Sequence, residues 1–189
     1  DQFYALTAGH LGTSDIIDGK GGGADKLTAV VESSTTLRPV LSNIEYLVLD
    51  MADDGATAAS HTSTVNLDQS SGLTSVEIQN HTNDTNDDTF VVQGITTAVG
   101  VTLTDDVGGA TRDNDLTVTY DGVSGTTDTA TLTLNSTNAA SIFGTITAAN
   151  VETINYELKG GFDSTVGDAL HADATALNIN VAASSGGQI

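Results

Sequence analysis

Apolar and polar positions alternate with a period of two, or run apolar over strand length, in nine short segments. These are Tyr46–Leu49, Thr64–Leu67, Val76–Ile78, Phe90–Val92, Val101–Leu103, Leu116–Tyr120, Ala130–Leu134, Ile154–Tyr156 and Leu177–Val181. A strand sends successive side chains to opposite faces, so the pattern predicts half-buried β-strands. Clusters of Asp, Gly, Asn and Ser lie between the segments, as expected of turns. No stretch carries an apolar stripe of period 3.6 over three turns. Short helical pieces are expected only near Asn138–Ile142 and Val166–Ala172. The predicted fold class is all-β.

A weak internal repeat refines that expectation. Four segments share the frame Φ-x-x-Φ-x-Φ: Ile44/Leu47/Leu49, Leu73/Val76/Ile78, Val151/Ile154/Tyr156 and Ala174/Leu177/Ile179. Two of them read almost alike, Asn43-Ile44-Glu45-Tyr46-Leu47 and Asn150-Val151-Glu152-Thr153-Ile154. An inward corner residue followed by two inward strand positions is what a stacked coil needs, because each coil buries its apolar edge against its neighbours. The alternative is coincidence among many short strands of similar composition. Residues Gly100 to Leu134 look more like hairpins, with Tyr120-Asp121-Gly122 as a turn. The expected architecture is therefore stacked β-solenoid or β-roll-like coils with a hairpin-rich, β-sandwich-like portion. A single β-sandwich is the alternative. The 189 residues form one all-β domain, or a fragment of a larger protein. Within it lie an Asp- and Gly-rich turn with the first repeat (1–50), a hairpin-rich middle (63–135) and a repeat region (146–184).

Composition supports strands and points to cations. Threonine occurs 30 times, proline once, and cysteine and tryptophan not at all. There are 25 acidic residues against five basic ones, for a net charge of −20. Twenty of the acids are Asp, a residue of turns, caps and metal loops, and only five are Glu, a good helix former. Five scattered cations cannot neutralise a run of phosphates, which excludes nucleic-acid binding, and adsorption to an anionic membrane fails for the same reason. No apolar run approaches the roughly 18 residues that span a bilayer. Without cysteine, neither disulfides nor cysteine-ligated zinc is possible, and calcium is the obvious substitute staple. The chain begins at Asp1 and shows no signal-peptide pattern, as expected of a processed product or an internal piece.

The densest candidate chemistry lies in Gly12–Val31. Glycines there let the backbone turn sharply, while Asp15, Asp18 and Asp25 supply hard carboxylate oxygens before Leu27 opens a strand. Calcium takes six to eight oxygen ligands in a flexible shell, which suits this composition. Asn83-Asp84-Thr85-Asn86-Asp87-Asp88 packs three Asp and two Asn into six residues and repels itself unless a cation or solvent relieves it. Asp105-Asp106 and Asp113-Asn114-Asp115 flank Gly108-Gly109 and are candidates to converge across one loop. For each cluster a solvated Asx-turn is the competing reading. Catalytic signals are missing. His10, His61, His81 and His171 are scattered, no G-x-S-x-G is present, and acidic pairs have no tryptophan platform for a sugar. The expectation is a protein that is not an enzyme. Three sequons, at Asn80, Asn83 and Asn135, arise easily in so Asn- and Thr-rich a chain.

The segment around Asp25 is similar to the nonapeptide G-G-x-G-x-D-x-Φ-x of calcium-binding β-roll proteins. With Asp25 on the motif aspartate, Gly21 and Gly23 take glycine positions and Leu27 the buried one, whereas Lys20 stands where the first glycine should be. The spacing from Asp15 to Asp25 is one residue longer than a regular coil. About 16 residues on comes Leu41-Ser42-Asn43-Ile44-Glu45-Tyr46-Leu47; Asn150-Val151-Glu152-Thr153-Ile154-Asn155 and Asp173-Ala174-Thr175-Ala176-Leu177-Asn178-Ile179 follow later. This succession resembles secreted bacterial surface-layer proteins of the RTX class, which alternate β-roll turns with "Asn/Gly-Val-Glu-Thr-Ile/Val-Asn" repeats. The resemblance covers residues 1–50 and 146–184. It implies one-step export, calcium-dependent folding and self-assembly into a coat outside the cell. The function expected is a structural subunit of a self-assembling cell-surface polymer: a surface layer, a filament or a tube. Its partners would be copies of itself, with cell-surface polysaccharide a further candidate. The alternative is a calcium-rigidified β-module of a large secreted adhesin.

Overall fold

The computed structural model describes residues 1–32, 34–52, 60–80, 87–106, 113–137, 141–160 and 165–181. Seventeen strands occur among them and no helix. In chain order they are β1 (Gln2–Ala5), β2 (Ile16–Asp18), β3 (Lys26–Glu32), β4 (Thr36–Leu37), β5 (Val40–Ser42) and β6 (Tyr46–Ala52). Next come β7 (His61–Asn66), β8 (Ser75–Asn80), β9 (Asp88–Gln93), β10 (Gly100–Asp105), β11 (Asp113–Thr119) and β12 (Thr129–Ser136). The last are β13 (Ile142–Ala149), β14 (Thr153–Gly160), β15 (Thr165–Val166), β16 (Ala169–Leu170) and β17 (Ala176–Val181).

Every pairing among these strands is parallel. One sheet runs β1-β3-β6-β8-β10-β12-β14-β17; a second runs β15-β13-β11-β9-β7-β4, with β16 also on β13; β2 and β5 pair apart. From β6 to β14, successive strands alternate between the two large sheets, and each bonds to the strand one circuit on. The chain is therefore a β-solenoid. One circuit takes between 20 residues, from Leu27 to Leu47, and 31, from Val101 to Leu132.

Because parallel neighbours sit in register, identical pleat positions stack into columns. One buried column runs Leu27–Leu47–Val76–Val101–Leu132–Tyr156, and a second runs Ala29–Leu49–Ile78–Leu103–Leu134–Leu158. The second sheet contributes Leu37–Val65–Val92–Val118–Ala148 and Phe90–Leu116–Ile146. All of these belong to a single apolar core. Burying each Leu, Ile or Val adds about 1.5–3 kcal/mol, which is how the chain holds together without disulfides.

Three expectations are corrected here. The middle of the chain does not form hairpins: β11 pairs with β9 and β13, while β12 lies in the other sheet between β10 and β14. Period-two alternation is the same in a hairpin and in a solenoid, so pattern alone could not separate them. The turn at Tyr120-Asp121-Gly122 is present, with the Val123 amide 3.4 Å from the Tyr120 carbonyl, but it is a corner between the sheets rather than a hairpin turn, and the Gly122 amide donates to the Ile95 carbonyl one circuit back at 3.1 Å. The helical pieces are also absent from the described residues. Ile142 opens β13, and Val166, Ala169 and Leu170 lie in strands, while residues 138–140 are outside the described set.

The repeat frame proves real but not continuous. Leu47 stacks on Val76, and Ile154 on Leu177, as the frame predicts. Followed through β10 and β12, however, the Leu47 column arrives at Tyr156 rather than Ile154. The corner has moved by two residues. A shift of two keeps every side chain on its face, whereas a shift of one would have turned the core outward.

Candidate functional site

The sequence repeat marks a hydrogen-bonded corner that occurs twice. In the first, the Asp25 amide donates to Glu45 Oε2 at 2.8 Å, and the Glu45 and Tyr46 amides donate to the Asp25 carbonyl at 3.0 Å. The Glu45 carbonyl in turn accepts the Thr74 amide at 2.8 Å and its hydroxyl at 3.0 Å. In the second corner, the Asp128 amide donates to Glu152 Oε2 at 3.0 Å, and the Asp128 carbonyl accepts the Thr153 amide at 2.9 Å. The Glu152 carbonyl accepts the Thr175 amide at 2.8 Å and its hydroxyl at 3.3 Å. Asn43 and Asn150 enter the two corners with left-handed backbones, φ 53° and 66°. Asp–Glu–Thr on three successive circuits is thus built once near each end of the chain.

Each corner also holds a carboxylate oxygen against glycine. Asp25 is 2 % exposed, and its Oδ2, like Asp128 Oδ2, is buried without a hydrogen-bond partner. A Cβ on Gly19 would stand 2.9 Å from Asp25 Oδ2 and collide with the Asn43 carbonyl. One on Gly22 would be 3.0 Å from Asp25 Oδ2, and one on Gly125 2.9 Å from Asp128 Oδ2. Asp25 Oδ1 pairs with the Asp1 ammonium. A buried carboxylate oxygen that lacks a donor is costly, and a hard cation relieves that cost.

The remaining predicted residues of the first turn are spread apart. Asp15 is exposed and its Oδ2 accepts the Gly12 amide at 2.8 Å. Asp18 is exposed and its Oδ1 accepts the Asn43 side-chain amide at 2.8 Å and the Lys20 amide at 2.9 Å. Those two bonds hold its carboxyl below the usual range. Gly21 and Gly23 have open space around them. Lys20, the departure from the glycine motif, adopts φ 61°, the left-handed conformation that a glycine there would favour.

The acids of the middle fall into two groups. Asp88 and Asp105 are buried inside the solenoid and joined by amides. The Asn80 side-chain amide donates to Asp88 Oδ2 at 3.3 Å and to Asn114 Oδ1 at 2.7 Å, and the Asn114 amide donates to Asp105 Oδ2 at 3.2 Å. His61 Nδ1 lies 3.8 Å from Asp88 Oδ1, and Ser141 bonds Ser136 at 3.1 Å on the next circuit. The expected convergence of 105–106 with 113–115 therefore occurs through Asn114. Asp87, Asp113 and Asp115 form the outer group. Asp87 Oδ1 accepts the Asp113 amide at 2.9 Å, and Asp115 Oδ1 accepts the Thr145 amide at 2.5 Å. Burial, with repulsion from Asp87 and Asp115, pushes the Asp113 carboxyl up. Asp106 follows β10 with its amide 3.4 Å from the Asn80 carbonyl. Asp84 and the sequons at Asn80 and Asn83 rest on residues outside the described set. Among the described residues, no three His, Asp or Glu side chains are grouped so as to hold a metal.

Sequence reasoning missed Asp128, the amide seam of Asn80 and Asn114, and a Tyr156–His171 pair. The near-identity of Asn43-Ile44-Glu45 with Asn150-Val151-Glu152 was the available signal for the first. For the seam there was none, since a buried Asn has no sequence mark beyond its place in an alternating strand. The chain matches no protein-family model, no curated protein sequence and no solved structure.

Proposed function

We propose that this chain is a structural subunit of a self-assembling, calcium-stabilised polymer outside the cell, at its surface: a surface layer, a filament or a tube. The observation that carries this reading is the parallel, in-register stacking of successive circuits, a rigid scaffold that repeats in one direction. The two glycine-lined corners supply buried carboxylates suited to calcium, and loop-borne Asp suits the weak sites of extracellular modules. The competing adhesin-module reading draws on the same rigid columns.

Electron microscopy of the purified chain, with and without millimolar calcium, separates the two. Ordered sheets, fibres or tubes are expected when calcium is present. Monodisperse particles under both conditions would overturn the polymer reading in favour of the adhesin module.

A further inference from the structure

The outer face of the first sheet carries a group of reactive side chains that neither the core nor the corners use. Gln79 of β8, Thr104 of β10, Asn135 of β12 and Lys159 of β14 are register partners on successive circuits. Glu77 precedes Gln79 by two residues in the same strand and so shares its face. The Thr104 hydroxyl donates to Glu77 Oε1 at 3.1 Å, and the Gln79 side-chain amide donates to the same oxygen at 3.0 Å. From the other side, the Asn135 side-chain amide reaches Thr104 Oγ1 at 3.4 Å. Although it points away from the core, Thr104 is only 6 % exposed.

These are the parts of an acyl transfer. A hydroxyl bonded to a carboxylate that a third group orients is the arrangement that activates a threonine nucleophile, and Gln79 is that third group here. Reacting atoms poised for attack stand about 3–3.5 Å apart. The Asn135 carboxamide carbon is one bond beyond an atom 3.4 Å from the Thr104 oxygen, and rotation of the Asn135 side chain closes the difference.

We propose that Thr104 and Asn135 form an intramolecular ester that fastens β10 to β12. Glu77 accepts the Thr104 proton as Oγ1 adds to the Asn135 side-chain carbonyl carbon. The tetrahedral intermediate then breaks its C–N bond, Glu77 returns the proton to the nitrogen, and ammonia leaves. One C–O bond forms and one C–N bond breaks, with no oxidant, reductant or second molecule consumed. Lys159, paired with Glu157 at 2.7 Å on the strand facing Asn135, places a cation on the side where the oxyanion develops. The burial of Thr104 keeps out the water that would hydrolyse the ester.

The position suits a staple. The chain has no cysteine, and the step from β10 to β12 is the longest circuit of the first sheet, 31 residues from Thr104 to Asn135. A covalent tie across a longer loop removes more freedom from the unfolded chain. The ester is independent of whether the chain polymerises.

Intact-mass spectrometry of the purified 189-residue chain tests this, with circular dichroism to verify that each variant is folded. The unaltered chain is expected to weigh less than its sequence by one ammonia. Its protease digest is expected to hold two peptides joined through Thr104 and Asn135, which hydroxylamine, a reagent that cleaves esters, separates. Thr104→Val and Glu77→Gln should keep the full sequence mass, and Thr104→Ser, which restores a hydroxyl, should show the loss again. If Thr104→Val fails to fold, Thr104→Ala takes its place. A folded, unaltered chain that stays at full mass through long incubation at neutral pH would overturn the proposal. So would an ammonia loss that persists without the Thr104 hydroxyl: abolished by Lys159→Arg, it would be an amide between Lys159 and Asn135, and otherwise a cyclised Asn135. Loss retained in folded Glu77→Gln would remove Glu77 as the base and overturn the mechanism.

Discussion

His171 sits where a single proton changes a joint between circuits. Its Nδ1 accepts the Ala148 amide at 3.0 Å and its Nε2 meets the Tyr156 hydroxyl at 2.8 Å, so the neutral ring with hydrogen on Nε2 satisfies both. Burial pushes the His171 pKa down, and it pushes that of Tyr156 up, so the hydroxyl stays protonated. Because the folded state resists protonation of His171 while the unfolded chain takes a proton near pH 6.5, the stabilisation is complete above that pH. It is lost as pH falls toward the lower, folded value. His171→Phe should therefore flatten the decline in melting temperature between pH 8 and pH 5, measured against the unaltered chain. Lys20 offers a second residue-scale test. Its φ of 61° costs an L-residue about 1 kcal/mol, so Lys20→Gly should raise stability by about that amount in chemical denaturation. A neutral or negative result would mean that the Lys20 side chain contributes contacts that offset the strain.

The strands are held by columns, and two facing columns are polar, Asn80–Asp105–Ser136 in the first sheet and Asp88–Asn114 in the second. Asn80, Asn114 and Ser136 are fully buried, and Asp88 and Asp105 nearly so. In such a place hydrogen bonds are stronger, and their loss costs more, than at the surface. Asn114→Ala removes the acceptor of one amide bond and the donor of another, and should cost about 3 kcal/mol, seen as a lower denaturant midpoint with an unchanged slope. Leu103→Ala, in the adjacent apolar column and 0 % exposed, should cost about 2–5 kcal/mol by opening a cavity. If Asn114→Ala were neutral, the seam would be a tolerated defect rather than a fastening between the sheets.

At the scale of the molecule, the net charge sets one stability test and the proposed calcium binding sets another. A net charge of −20 disfavours any compact state, so added salt should raise the melting temperature modestly by screening. Calcium should do more at matched ionic strength. An ion that binds only the folded chain stabilises it by RT ln(1 + [L]/Kd), about 2.7 kcal/mol at a hundredfold excess over Kd. Magnesium should rescue a chelated sample poorly, because it demands a stricter octahedral shell. Asp25→Asn should remove much of the calcium increment while leaving the salt effect intact. Equal effects of calcium and of sodium chloride at the same ionic strength would reduce the acids to solvated turns.

Local patterning determined the strands. Alternation at Val76–Ile78, Val101–Leu103 and Leu116–Tyr120 specified which side chains face inward, and the Asn43 and Asn150 repeats specified where the circuits turn, because both are properties of short stretches of chain. The direction of pairing was decided only by the tertiary structure. Leu116 and Leu132 alternate alike whether their strands return as a hairpin or advance by one circuit, and only the stacking of each circuit on the next selects the second. For the same reason the two-residue displacement of the corner between the Leu47 and Ile154 circuits, the amide seam through Asn80 and Asn114, and the grouping of Asp25 with Glu45 lay beyond the sequence. Each joins residues 8 to 34 positions apart, brought together by register rather than by adjacency.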